Sequence, residues 1–296
     1  MAHNSFFFAI FALVTILILF SKKMKPKKIL FVTQEINPYV PVSPLTPFGR
    51  ELPLASIEAG YETRAFMPKW GNINERRNQL HEVIRLSGIN IVVDDVDHPL
   101  IIKVASVTGT RMQVYFIDNE DYFAKRLEET DASGKEYTDN FERCVFFARG
   151  VLETVKKLRW APDVINCQGW TASAMSFLLK TEFADEPCFR STRTIYTVTD
   201  NRLTLPAERL TSVLGEEAEK QQLTEEFGPS LTPMQMDKLA IKYADAVCAT
   251  NAENQAEQLG YAESLGKSTL VVDPADPNQQ LQFFERIWEK SNPDKD

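Results

Sequence analysis

From residue 29 onward the chain alternates short apolar runs with longer stretches that carry apolar residues every three or four positions. The runs at 29–33 (ILFVT), 163–167 (DVINC) and 193–199 (RTIYTVT) predict strands buried on both faces, as in a parallel sheet. The stretch 138–158 has helical spacing and predicts a long helix. Strands that alternate with helices in this way predict an α/β fold.

The same pattern predicts the rest of the body. We expect further strands at 62–68, 99–107, 111–118, 246–250 and 268–274, and further helices at 48–61, 171–183, 236–244 and 279–290. The two strands joined by Thr108-Gly109-Thr110 predict a hairpin. We therefore expect one doubly wound, Rossmann-like α/β domain over 24–275, followed by a C-terminal helix and tail over 276–296.

Residues 1–23 are a hydrophobic leader with an apolar run at 6–20 and lysines after it. A helix of about fifteen residues spans roughly 22 Å, which is less than the ~30 Å hydrocarbon core of a bilayer. Two interpretations stay open. The leader is a short membrane anchor that leaves the body in the cytoplasm, or the protein starts at Met24 rather than Met1 and is cytosolic.

Composition and charge exclude several functions. The net charge of −8 argues against nucleic-acid binding, which needs a basic face. The four cysteines lie far apart with no C-x-x-C pair, so we expect reduced thiols with structural roles. His3, His81 and His98 are scattered, so we expect no metal site.

The loop after the first strand is the first place to look for a ligand, because open parallel sheets bind ligands at the carboxyl ends of their strands. It contains neither G-x-G-x-x-G nor a P-loop, so no resident nucleotide cofactor is expected. Instead prolines recur every third residue, at Pro38, Pro41, Pro44 and Pro47, the period of polyproline II. This predicts either a docking segment for an aromatic groove or a stiff surface loop.

Two further segments carry candidate binding residues. The loop after the second strand offers Lys69, Trp70, Arg76 and Arg77, which suit contact with a sugar or a phosphate but also suit a solvated loop. Asp139-Asn140 starts the long helix, where helix capping explains both residues without any function, although a capping and a functional role can hold together.

Six segments, taken in order over about residues 27–258, resemble the amino-terminal half of bacterial glycogen synthases and plant starch synthases. KKILFVTQEINPY is similar to the opening strand of that family, FMPKWG to its L-P-x-Y-G, and YFIDNEDYF to its Y-F-x-D-x-x-x-Y-F. DNFERCVFFARGVLE, WAPDVINCQGW and KYADAVCAT are similar to D-N-x-x-R-F, W-x-P-D-V-x-H-x-H-D-W and Y-A-D-x-V-x-T-V-S.

The resemblance implies a fold and an activity. These enzymes move glucose from ADP-glucose onto an α-1,4-glucan, and their active site lies between the two Rossmann-like halves of a GT-B fold. This chain is expected to be equivalent to the N-terminal half alone. A second half that would hold most of the nucleotide contacts is then expected to be missing from a monomer.

The departures from the family pattern fall on its donor site. The family's K-T-G-G, which approaches the nucleotide diphosphate, falls on Pro41, Val42, Ser43 and Pro44. The histidine that contacts the transferred sugar falls on Gln168. In the later F-T-x-H-N motif the histidine falls on Asp200, while the asparagine is kept as Asn201. The residues that are kept would form a remnant of the substrate cleft: Trp70, Asp139, Asn140, Trp170 and Asn201.

Three functions follow as hypotheses. The first is a non-catalytic protein of glycogen metabolism that binds an α-1,4-glucan or a protein partner, with no cofactor of its own. The second is an active glucosyltransferase in which a second polypeptide supplies the missing half and the ADP-glucose contacts. The third is a scaffold tethered to a membrane through residues 6–20.

Overall fold

The computed structural model describes residues 27–200, 203–209, 213–214 and 217–289. The strands within these ranges are β1 (Lys28–Val32), β2 (Glu62–Pro68), β3 (His81–Glu82), β4 (Ile89–Val93), β5 (Val96–Ser106), β6 (Gln113–Asp118), β7 (Val164–Gln168), β8 (Arg193–Val198), β9 (Ala246–Ala249) and β10 (Ser268–Val271). The helices there are α1 (Leu52–Glu58), α2 (Asn140–Lys157), α3 (Met175–Lys180), α4 (Glu217–Phe227), α5 (Pro233–Tyr243), α6 (Ala256–Ser264) and α7 (Pro277–Glu289).

The sheet confirms the predicted α/β class. Its strand order is β10-β9-β8-β7-β1-β2-β6-β5-β3, and β4 pairs with β5. The strands from β10 to β6 are parallel, whereas β5 is antiparallel to β6, β3 and β4. The predicted hairpin is therefore the β5–β6 pair. Continuous apolar runs such as that of β1 are buried because helices cover both faces of a parallel sheet.

Two predicted helices differ from the observed ones. The segment predicted as a helix over 48–61 begins with a π-helical turn at Pro47–Glu51, and α1 follows it. Pro53 lacks the N–H that would bond to the carbonyl of Gly49 four residues earlier, so an α-helical turn cannot close there. The helix predicted over 171–183 is a 3₁₀ turn at Trp170–Ala172 followed by the short α3.

The predicted thiols are free cysteines, and the three that lie in apolar segments are buried. Burial raises the pKa of Cys144 to about 11, so this thiol stays protonated at neutral pH. No helix in the described ranges is both long and apolar enough to cross a membrane. The predicted anchor at residues 6–20 lies outside the described residues.

Candidate functional site at the strand-order switch

The order of the strands reverses beside β1, because the chain continues from β1 to β2 on one side and places β7 on the other. The segments Thr33–Glu35 and Gln168–Gly169 therefore leave the sheet at the same edge, where α/β proteins bind ligands. Gly169 has φ 72°, and a Cβ on it would lie 2.4 Å from Oε1 of Gln34. The turn after β7 thus needs glycine for its conformation and for its close approach to Gln34.

Gln168, where the resemblance predicts the sugar-contacting histidine of the family, is buried, with 1% of its surface exposed. Its Nε2 donates to the carbonyl of Phe48 at 2.9 Å and to Oδ1 of Asn166 at 2.6 Å. Asn166 in turn donates to Oγ1 of Thr197 on β8 at 2.8 Å. One hydrogen of the Gln168 amide therefore fastens the segment after β1 to the sheet, and the other bonds to Asn166 within β7.

The proline-rich loop after β1 is folded back on itself. Ser43 Oγ makes a short hydrogen bond to the carboxylate of Glu35, and the backbone N–H of Leu45 donates to Ser43 Oγ at 3.0 Å. Backbone turns close at Tyr39 onto Ile36 and at Thr46 onto Ser43. These turns interrupt the three-residue period, so the prolines do not form one polyproline helix, and the surface-loop interpretation describes the structure.

The two tryptophans of the predicted cleft are brought together, with ring centroids 6.3 Å apart. Neither is presented to solvent, since Trp70 is 0% and Trp170 is 3% exposed. Trp70 Nε1 donates to the carbonyl of Gln34 at 2.8 Å, and Trp170 Nε1 donates to Glu129 Oε1 at 3.3 Å. In this arrangement the pair forms part of the core beneath the strand ends.

Arg143 is the residue that organises this region, and its role was not predicted from the sequence. Its fully buried guanidinium lies 5.1 Å from the ring centroid of Trp70. It donates to Asn140 Oδ1 at 2.7 Å and to three backbone carbonyls, those of Tyr122, Leu127 and Glu128. Burial, with the charge of nearby Arg126, lowers the pKa of Arg143 to about 9, so it stays charged at neutral pH.

Asp139 and Asn140 have structural partners. Both oxygens of Asp139 accept from the guanidinium of Arg126, one of them at 2.6 Å. Its side chain makes no cap to α2, so the expectation that it caps this helix is wrong. Asn140 is buried and donates through Nδ2 to the carbonyl of Glu129 at 3.1 Å. The pair therefore ties α2 to the loop that precedes it.

The remaining predicted site residues lie apart from this cluster. Asp200 accepts from Gln255 Nε2 at 3.1 Å and from Asn254 Nδ2 at 3.3 Å, beyond the ends of β8 and β9. Asn201 lies outside the described residues. Among the residues described, no three His, Cys, Asp or Glu side chains are grouped as a metal site would require.

An open groove of about 530 Å³ borders the start of α2, and Asp139 lies in its wall. Its other lining residues include Arg126, Lys135, Tyr137 and Glu208. The guanidinium of Arg126 stacks over the Tyr137 ring at 4.1 Å. Residues of both charge signs and one aromatic ring thus face a solvent-accessible space beside the buried tryptophans.

Comparison with known proteins identifies the family of this chain. The model of the family described as starch synthase catalytic domain matches residues 28–264. The chain belongs to this family. A glycogen synthase of Chlorobium phaeovibrioides is 34% identical over 257 residues, which are 83% of this chain and 51% of that protein. A glycogen synthase of Pelodictyon phaeoclathratiforme is 40% identical over 172 residues, 58% of this chain and 35% of that protein.

The fold of the starch synthase family is also found in a solved structure. The catalytic domain of starch synthase IV from Arabidopsis thaliana, bound to ADP and acarbose, superposes with a TM-score of 0.66 at 18% identity. The alignment covers 83% of this chain and 52% of that one, which confirms the predicted relation to a GT-B N-terminal domain. The chain spans about half or less of the length of the glycogen synthases compared.

Proposed function

We propose that this chain is a starch-synthase-type domain that binds an α-1,4-glucan but does not transfer glucose by itself. The observation that carries the proposal is the loop after β1. At the positions of the family's K-T-G-G it has Pro41, Val42, Ser43 and Pro44, and Ser43 is bonded to Glu35. This loop offers no lysine and fewer amide donors to a nucleotide diphosphate.

The chemistry of glucosyl transfer explains why these losses matter. The transition state places positive charge on the sugar and negative charge on the leaving diphosphate, and an enzyme needs preorganised dipoles for both. Pro41 and Pro44 have no N–H, and Pro41 has no charge. Gln168 stands where the family has a histidine, and its amide hydrogens bond to Phe48 and Asn166. Loss of one such donor lowers kcat by roughly 10²–10³.

Glucan binding is the part of the family's function that these losses leave intact. The relatives are named glycogen synthases, and the Arabidopsis domain was bound to acarbose as well as ADP. The open groove beside α2 supplies Lys135, Asp139 and Glu208 for hydrogen bonds to sugar hydroxyls. These groups do not depend on the proline-rich loop.

One assay separates binding from transfer. The purified chain is incubated with glycogen and ADP-[¹⁴C]glucose, with the glycogen synthase of Chlorobium phaeovibrioides as the active control. We expect the chain to co-sediment with glycogen, to incorporate no label and to show no ADP binding in calorimetry. Incorporation by the chain alone would refute the non-catalytic assignment. Failure to co-sediment would refute glucan binding.

Two other functions predicted from the sequence stay proposals with their own tests. If a second polypeptide completes an active synthase, adding the C-terminal half of the Chlorobium enzyme to the same assay should produce incorporation that neither half gives alone. If residues 6–20 tether the protein to a membrane, the full chain should pellet with membranes while a variant that starts at Met24 stays in the supernatant.

A further inference from the structure

A second pocket, of about 260 Å³, lies at the antiparallel end of the sheet. It is bounded by the loop after β1, the loop after β2, and the strands and turn of the β5–β6 hairpin. The residues that line it are Pro38, Tyr39, Arg77, Asn78, Gln79, His81, Val104, Ala105, Ser106, Thr108 and Gln113. Pro38 and Tyr39 belong to the loop after β1, and the other lining residues lie outside the candidate site at the strand-order switch.

The charge of this pocket is opposite to that of the protein. The chain has 41 acidic and 33 basic residues, yet no lining residue carries a carboxylate. Arg77 and His81 are the ionisable bases in the wall. The backbone N–H of Arg77, not its guanidinium, bonds to Asn74 Oδ1 at 2.9 Å, and the side chain is exposed. An anion entering here meets a cation and no opposing acid.

Tyr39 adds a second, independent feature. Its ring packs edge-on against Phe116 with centroids 4.8 Å apart, and the residue is 7% exposed. Its hydroxyl has no hydrogen-bond partner among the described residues. Burial raises the pKa of Tyr39 to about 12, so the hydroxyl keeps its proton and remains a donor. Buried polar groups usually have a partner, and this hydroxyl is shielded from solvent without one, so a ligand contacts it once the Tyr39 side chain turns toward the pocket.

The remaining polar groups suit a hydroxylated ligand. Asn78, Gln79 and Gln113 supply amides, while Ser106 and Thr108 supply hydroxyls. The volume lies just below the roughly 300–1,000 Å³ of pockets that bury drug-sized ligands, which indicates a compound of monosaccharide size. An arginine suits a phosphate oxygen, because its planar guanidinium donates two hydrogen bonds at once.

We infer that this pocket binds a sugar phosphate, with the phosphate monoester on Arg77 and the sugar hydroxyls on the amide and hydroxyl side chains and Tyr39. The site does not depend on the proposed glucan binding, because it shares no residue with the groove beside α2. Either proposal can fail while the other stands.

The inference is tested on the full chain by calorimetry with three probes: fructose 6-phosphate, inorganic phosphate and fructose. We expect fructose 6-phosphate to bind, inorganic phosphate to bind more weakly, and fructose to show no binding. Equal affinity for fructose 6-phosphate and inorganic phosphate would show that the sugar makes no contact, and the proposed sugar-phosphate site would be refuted in favour of a simple anion site. Absence of binding by either phosphate would overturn the inference.

Variants decide whether the pocket is the place of binding. Arg77→Gln and Tyr39→Phe should each weaken the affinity for fructose 6-phosphate by about tenfold or more, since each removes a hydrogen bond to the ligand. Arg76→Gln is the matched control, because Arg76 is an exposed neighbour that does not line the pocket. Circular dichroism verifies that each variant is folded. Equal weakening by the Arg76 and Arg77 variants would indicate diffuse charge attraction and would overturn the site.

Discussion

The side-chain amide of Gln168, at the end of β7, donates a 2.9 Å hydrogen bond to the backbone carbonyl of Phe48 in the loop after β1. The two residues are 120 positions apart in sequence, so this bond joins the central sheet to the π-helical turn Pro47–Glu51. The resemblance places the family's sugar-contacting histidine at this position, and here the side chain holds a neighbouring segment inside the protein, as the proposed loss of transfer expects.

The first prediction concerns this support. Gln168→Ala removes two buried hydrogen bonds and leaves a small cavity, so we expect the free energy of unfolding to fall by about 2–4 kcal/mol. Urea denaturation followed by tryptophan fluorescence measures the loss. Gln222→Ala, at an exposed position of α4, is the control and should stay within about 0.5 kcal/mol. Equal stability of the two variants would show that the amide does not hold the loop.

The second prediction concerns the close approach of the π-helical turn at Gly49 to the backbone of Glu35, just after β1. A Cβ on Gly49 would lie 2.0 Å from the carbonyl oxygen of Glu35, so Gly49→Ala must displace backbone. We expect a loss of about 3 kcal/mol in the free energy of unfolding. At Gly260, inside α6, a Cβ would meet no atom within 4 Å. Gly260→Ala should instead stabilise the protein by about 0.5–1 kcal/mol through helix propensity. The urea concentration at the midpoint of unfolding should therefore be lower than in wild type for Gly49→Ala and higher for Gly260→Ala.

Much of the sheet was predictable from local patterns. The bounds predicted for β2, 62–68, are those of the structure, and the hairpin of β5 and β6 lies where it was expected. In contrast, the strands β3 and β4 and the helices α4 and α6 were not predicted. The strand β4 pairs with β5 in a tight hairpin that turns at Asp94 and Asp95, both with positive φ, and no glycine or asparagine marks that turn in the sequence. The helix α6 has few buried residues and so a weak apolar stripe.

The candidate site was less predictable than the fold. Sequence pattern brings Trp70 and Trp170 to the same edge of the sheet, but it does not show that both rings are buried around Arg143. Arg143 lies in the first turn of α2, where an arginine is usually solvated. Here the loop before α2 supplies backbone carbonyls that satisfy it, and this loop has no periodic pattern from which its path could be inferred.

The third prediction tests that arginine. Arg143→Lys keeps the charge but cannot reach the carbonyls of Tyr122, Leu127 and Glu128 together with Asn140, so buried acceptors lose their donors. We expect the free energy of unfolding to fall by about 3–5 kcal/mol, since each buried acceptor left without a donor costs about 1–3 kcal/mol. Arg190→Lys, at an exposed position, is the control and should be neutral within about 0.5 kcal/mol. Hydrogen exchange should also show faster exchange in the loop 119–129 of the Arg143 variant.

The last prediction concerns Asp237, a buried carboxyl on α5. Its Oδ1 accepts from the Tyr196 hydroxyl at 2.7 Å, and its Oδ2 accepts from Gln258 Nε2 at 3.0 Å. Burial raises the pKa of Asp237 from 3.8 to about 6, and the two hydrogen bonds only partly oppose this. The folded state thus binds the proton more tightly than the unfolded state, so this group stabilises the fold below its folded pKa and loses that contribution as the pH rises through about 6.

Asp237→Asn removes this titration while an amide can still accept from Tyr196 and donate to Gln258. Because one pKa unit corresponds to about 1.4 kcal/mol, wild type should gain about 2 kcal/mol of stability over the variant between about pH 7 and about pH 4.5. Urea denaturation of both proteins across this pH range measures the difference between their free energies of unfolding. The other carboxyl groups titrate alike in both proteins, so their contributions cancel in this difference. A difference that does not change with pH would mean that Asp237 titrates alike in the folded and unfolded chains, and the raised pKa would be wrong.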